Sequence, residues 1–121
     1  MNMRLSCNDT RIENATWPDV EAALPELKEE AFFRLSIIPK PKIGPSFLEI
    51  ESEGGHYMPS MLIIGQPEDR LFVNLEARDK PDVSIGGYTY DAMAVTQDFD
   101  LIVRMITEFY ETGDVSKDLL K

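Results

Sequence analysis

The stretch Phe47-Leu48-Glu49-Ile50-Glu51-Ser52-Glu53 alternates apolar and polar side chains through Leu48-Glu49-Ile50-Glu51 and keeps its carboxylates two residues apart. A period of two belongs to a strand with one wet face, so Leu48 and Ile50 point inward while Glu49, Glu51 and Glu53 share the opposite face. Gly54-Gly55 follows at once and suits a tight turn, which predicts a hairpin with a strand over 57–64. The period continues on both sides. Phe33, Leu35 and Ile37 alternate with Arg34 and Ser36 before a loop rich in Pro and Gly at 39–45. Past a turn at 65–69, Leu71, Val73 and Leu75 are expected to point inward from a strand over 70–76. The middle of the chain is thus an antiparallel meander.

Helical spacing flanks it. Trp17, Val20, Ala23, Leu24 and Leu27 form one apolar stripe behind Thr16 as cap, Pro18 in the first turn and Asp19 at the positive helix end. Pro25 predicts that this helix covers 17–24, with a kink or a second short turn at 25–30. Near the other end, Phe99, Ile102, Val103, Ile106, Phe109 and Tyr110 define a two-faced helix. Thr96 is its expected cap, Asp98 and Asp100 lie in its first turn, and Gly113 is its left-handed terminator. Val83-Ser84-Ile85 and Tyr88-Thr89-Tyr90 read as extended pieces around Gly86-Gly87. Residues 1–15 read as a loose or short extended start, and 114–121 as a fraying tail unless Leu119-Leu120 docks. The expectation is one α+β domain over 1–121. It has an N-terminal helix, an antiparallel sheet of four to five strands, and a C-terminal amphipathic helix packed on the sheet. A chain of 121 residues is long enough for one unstapled core and too short for two.

Charge narrows the function. Twelve Lys and Arg against twenty-two Asp and Glu leave a net charge of −10, spread over both halves of the chain. Phosphate backbones and acidic leaflets are repelled by such a protein, so neither nucleic acid nor membrane is an expected partner. A basic protein partner is steered in. The longest aliphatic run, Met61-Leu62-Ile63-Ile64, is far short of a membrane span. The N-terminal stretch lacks the apolar core of a secretory signal, which leads to an expected cytoplasmic location.

Catalytic signatures are missing. There is no dinucleotide-binding or phosphate-loop glycine pattern, no H-E-x-x-H, no C-x-x-C and no G-x-S-x-G. With Cys7 and His56 each the only residue of its type, no disulfide forms within the chain, and no metal or cofactor site is expected. A Cys7–His56 dyad is formally available. His56 reads instead as a turn residue and Cys7 as an inert thiol, so the chain is not expected to be an enzyme. The aligned Glu49, Glu51 and Glu53, roughly 7 Å apart along the strand, read either as a solvated sheet face or as an acidic docking surface whose internal repulsion is relieved on binding. Tyr57, Tyr88, Tyr90 and Asp91 read either as ordinary strand residues or as an interface edge, a setting in which tyrosine is enriched.

The C-terminal third carries a resemblance. Gly86-Gly87, the extended stretch ending Met93-Ala94-Val95-Thr96, and the helix from Asp98 through Phe109-Tyr110-Glu111-Thr112-Gly113 resemble the immunity proteins of bacterial polymorphic toxin systems. The type most similar includes antidotes of deaminase toxins. Ser116 stands where that family has Pro, the Leu119-Leu120 region replaces its tail Trp, and Tyr90-Asp91-Ala92 lacks its Pro. The resemblance implies a protein that binds a cognate toxin domain, basic and of nuclease or deaminase type, and occludes its active site or substrate surface. On that reading the Glu49/Glu51/Glu53 face and the Tyr57, Tyr88, Tyr90 and Asp91 group form the contact. An acidic secretion or assembly chaperone for an effector protein is the alternative.

Overall fold

Thr16 opens the first helix as its side chain requires. Its hydroxyl accepts from the Asp19 N–H, and the Asp19 carboxylate accepts from the Thr16 N–H at 2.8 Å, a reciprocal cap that satisfies two otherwise orphaned donors. In the computed structural model, which describes residues 1–121, helix α1 runs Trp17–Leu27 and carries Pro25 inside its last turn. The helix runs three residues past the expected end at 24, because a proline this close to the helix end removes one bond with almost no helix left beyond it. A short turn follows, in which the Lys28 N–H donates to the Pro25 carbonyl at 3.2 Å and the Glu29 N–H to the Glu26 carbonyl at 3.1 Å. Val20, Ala23 and Leu27 are buried by the predicted stripe.

Of the two readings of the start, loose or short extended, the extended one holds, and it takes the form of two strands. β1 (Asn2–Cys7) and β2 (Thr10–Ile12) form a hairpin, and β1 then pairs along its whole length with β3 (Glu30–Ile38). Met3, Leu5 and Cys7 occupy alternate positions and are all buried. β4 (Gly44–Glu53), β5 (His56–Ile64) and a two-residue β6 (Arg70–Leu71) complete the sheet by the predicted meander. The order is β2-β1-β3-β4-β5-β6, antiparallel throughout, so six strands replace the expected four to five.

The strand expected over 70–76 stops at Leu71. Val73 and Leu75 are exposed rather than inward, because the chain leaves the sheet there. The Asn74 N–H turns to the Met93 carbonyl at 2.8 Å, and the Leu71 carbonyl is taken by the N–H of Lys121 at 2.8 Å. Accordingly the tail does not fray. Val115, Leu119 and Leu120 are buried in the main core.

Helix α2 (Phe99–Thr112) lies on the same sheet face as α1 and buries Ile102, Met105, Ile106 and Phe109. Its cap is Asp98, whose carboxylate accepts from Leu101 N–H at 3.1 Å. Thr96 stands two residues back, its hydroxyl accepting from the Asp98 N–H. Gly113 ends the helix at φ 78°, where a side chain would be strained and its Cβ would lie 2.8 Å from the Met1 sulfur. No helix is long and apolar enough to cross a membrane.

The last two strands, β7 (Val83–Ile85) and β8 (Tyr88–Tyr90), form a separate ribbon. Its turn, Gly86-Gly87 at φ 60° and 84°, has the positive angles of a two-residue hairpin loop. The ribbon rests on the outer face of the sheet, away from both helices. Its Ile85 is fully buried yet stands apart from the helix-side core.

Candidate functional site

The outer face is set by strand alternation. Burying Phe33, Leu35, Leu48 and Ile50 under the helices turns Phe32 and Arg34 of β3, and Glu49, Glu51 and Glu53 of β4, to the other side. Register places Arg34 opposite Glu49, Phe32 opposite Glu51 and Glu30 opposite Glu53. The three predicted carboxylates therefore share a face, but they are not the free row that the sequence suggested. Arg34 reaches across from β3 and supplies a base. Its guanidinium meets the Glu49 carboxylate at 2.6 and 2.9 Å and lies over the Phe47 ring, 4.1 Å from the centroid. Glu51 accepts a short hydrogen bond from the Tyr90 hydroxyl, and Glu53 accepts from the Gly86 N–H at 2.8 Å. Two of the acids thus hold the β7–β8 ribbon down.

Between ribbon, sheet and the β1–β2 turn lies a cleft of about 760 Å³. Phe32, Tyr88 and Tyr90 give it aromatic surface, and Asp9, Glu30 and Glu51 give it carboxylates, while no Lys, Arg or His lines it. Phe32 is 41% and Tyr88 67% exposed, so both rings are open to a partner. Burial pushes the Tyr90 hydroxyl well above the usual phenol range, and its bond to Glu51 pushes it the same way, so it stays a donor. The turn is anchored by Asn8, at φ 52°. Its side-chain oxygen accepts from the Phe32 N–H at 3.1 Å, and its backbone N–H donates to the Phe32 carbonyl at 3.2 Å.

Glu51, Tyr88 and Tyr90 are thereby brought together, with Glu49 and Glu53 beside them. Two predicted residues leave the set. Tyr57 is only 3% exposed and belongs to the helix-side core, its ring 5.7 Å from that of Phe99. As a β5 residue in phase with Met61 and Ile63, it has to face the helices. Asp91 is exposed but acts as a cap, accepting from the Met93 N–H at 2.9 Å in a short helical turn. Phe32, Glu30 and Asp9 were missed. The signal was the pair Phe32-Phe33, because adjacent strand residues cannot both face the core.

Cys7 and His56 do not combine into a dyad. Cys7 lies under α1, where its thiol donates to the Glu26 carboxylate at 3.0 Å, and burial first, then Glu26, pushes its pKa up to about 12. His56 opens β5 beside a smaller cavity of about 280 Å³ shared with Lys80 and Thr96. The native thiol is expected to resist a disulfide reagent near neutral pH and to react once the chain is unfolded. It also sets an alkaline limit. The unfolded thiol ionises near 9 and the folded one near 12, so stability is unaffected below the first value. As pH rises from there toward 12, stability falls by up to about 1.4 kcal/mol per pH unit. Urea denaturation of the protein and of Cys7→Ala, at about pH 8 and about pH 10.5, checks this. The variant should lose less over the interval, and equal losses contradict the assignment.

A crystal structure described as that of a hypothetical protein from Neisseria gonorrhoeae superposes on this fold with a TM-score of 0.76. It covers 95% of this chain and 90% of that one at 20% identity, a likeness of fold alone. No curated protein sequence matches the chain. A family model described as a family of unknown function (DUF6911) matches residues 1–119, and the chain belongs to that family.

Proposed function

We propose that the protein is an immunity protein that binds a cognate bacterial toxin domain in the cytoplasm and neutralises it stoichiometrically. The outer sheet face is the docking surface, and the toxin is a basic domain of nuclease or deaminase type whose active site or substrate surface is covered. The observation that carries this reading is the cleft on that face. It has open aromatic rings, carboxylates and no base, which suits a cationic protein surface and repels a nucleic acid. The net charge of −10 extends the same preference over the whole molecule and favours fast, steered association. The resemblance to toxin antidotes supplies the biological setting. This reading assigns the chain no turnover of its own.

The test is to express the C-terminal domain encoded by whichever gene lies immediately upstream, with and without this protein, and to score growth and complex formation. Rescue with a tight 1:1 complex that weakens as salt is added is expected. Toxicity that persists despite good expression of this protein contradicts the antidote reading. Salt-insensitive capture of an unfolded effector in place of a folded toxin would turn the reading to an assembly chaperone.

A further inference from the structure

We propose that the outer-face cleft is the seat of an arginine side chain from the protein partner, its guanidinium stacked on aromatic surface and bonded to the Glu30 and Glu51 carboxylates. This rests on the reading of the outer face as a docking surface and adds the chemistry that docks there. The face itself shows how it holds such a group. Arg34 sits between the rings of Phe47 and Phe32, with centroid distances of 4.1 and 5.7 Å, and pairs with Glu49 across the strands. One pair further along, Phe32 faces Glu51, and Phe32 also lines the cleft. Aromatic surface and carboxylate are repeated there; Arg34 touches Phe32 from the Glu49 side, and no Lys, Arg or His lines the cleft itself.

Cross-strand pairing makes the same point. Glu30 stands directly opposite Glu53, a like-charge pair that costs stability unless a cation lies near. Neither Glu30 nor Asp9 takes part in any ion pair of the chain. A positive group entering the cleft relieves this repulsion and meets rings at once. Arginine fits better than lysine, because its flat fork both stacks on a ring and reaches two carboxylates, whereas an ammonium is a strongly hydrated point charge.

The probe is N-acetyl-argininamide, titrated into the folded protein and followed by amide NMR shifts, with N-acetyl-lysinamide as comparison. Saturable shifts at Glu30, Phe32, Gly86 and Tyr88 are expected, with the lysine probe roughly tenfold weaker. Phe32→Ala should abolish the preference for arginine, and Glu30→Gln should weaken both probes. Each position is exposed, so both variants should fold. Equal binding of the two probes, or shifts unchanged in Phe32→Ala, overturns the arginine seat. So does a neutralising toxin complex whose affinity is unmoved by Phe32→Ala and Glu30→Gln, and that outcome leaves the antidote reading standing. Arginine-selective binding in a protein that rescues no toxin upholds the seat and overturns the antidote reading instead.

Discussion

Replacing Arg70 by methionine is expected to lower the folding stability by about 3 kcal/mol or more, among the largest effects available outside the central core. Arg70 opens the two-residue edge strand and is 9% exposed. Its guanidinium donates to the Leu120 carbonyl at 2.7 and 3.1 Å, to the Val115 carbonyl at 2.6 Å and to the Asp114 carboxylate at 3.0 Å. Methionine matches much of the stem but leaves two buried carbonyls without their donors, each at the cost of a desolvated polar group. The tail they belong to buries Val115, Leu119 and Leu120, so packing is lost along with the bonds. The ion pair itself is the minor part. Asp114 is 56% exposed, and Asp114→Asn should cost under about 1 kcal/mol. Urea denaturation of both variants, with hydrogen exchange at Leu119 and Leu120, measures the difference. Similar small losses in the two, with the tail still protected, would show that the carbonyl clamp is not what holds it.

Ile85→Ala is expected to loosen the β7–β8 ribbon selectively. Ile85 is fully buried on the outer face, and the residues that form the helix-side core do not include it. Truncating a buried isoleucine removes about 2–4 kcal/mol, here from a two-stranded element that is marginal by itself. What remains are two polar tethers, Tyr90 to Glu51 and Gly86 to Glu53. Amide exchange over residues 83–90 should therefore accelerate roughly 100-fold, while β1, β3 and β4 keep their protection. With its ribbon wall displaced, the cleft should lose the arginine-selective binding inferred above. Uniform loss of protection across the whole chain would instead show that ribbon and sheet unfold as one unit.

The central hairpin and both helices were legible because each has one dominant period and a chemically specific end. Leu48 and Ile50 alternate before Gly54-Gly55, Thr16 and Asp19 cap α1, and Gly113 ends α2. β1 carries a strict alternation, Met3, Leu5 and Cys7 against Asn2, Arg4 and Ser6, but it has no β-branched or aromatic residue to mark it as a strand. The strand expected at 70–76 failed for a reason no local pattern holds, since its edge is claimed by residues near 120. The site was legible in part. The acidic face followed from period two alone, and Tyr88 and Tyr90 from the enrichment of tyrosine at interfaces. That Glu51 and Tyr90 meet depends on the ribbon folding back over β4, and that Tyr57 leaves the surface depends on the phase of β5. Arg34 was visible as a polar residue between Phe33 and Leu35, but its pairing with Glu49 required the register.

The same distant closure of the sheet edge bears on self-association. β5 is nine residues long, and left bare beyond the meander its outward N–H and C=O groups would be a template for another chain's strand. The molecule covers that edge in pieces. β6 pairs with Ser60 and Met61, Thr96 bridges to Tyr57 through bonds of 2.8 and 2.9 Å, and Lys121 closes over Leu71. The C-terminal tail thus covers part of that edge as well as filling the core, leaving fewer free backbone groups for another chain's strand to pair with.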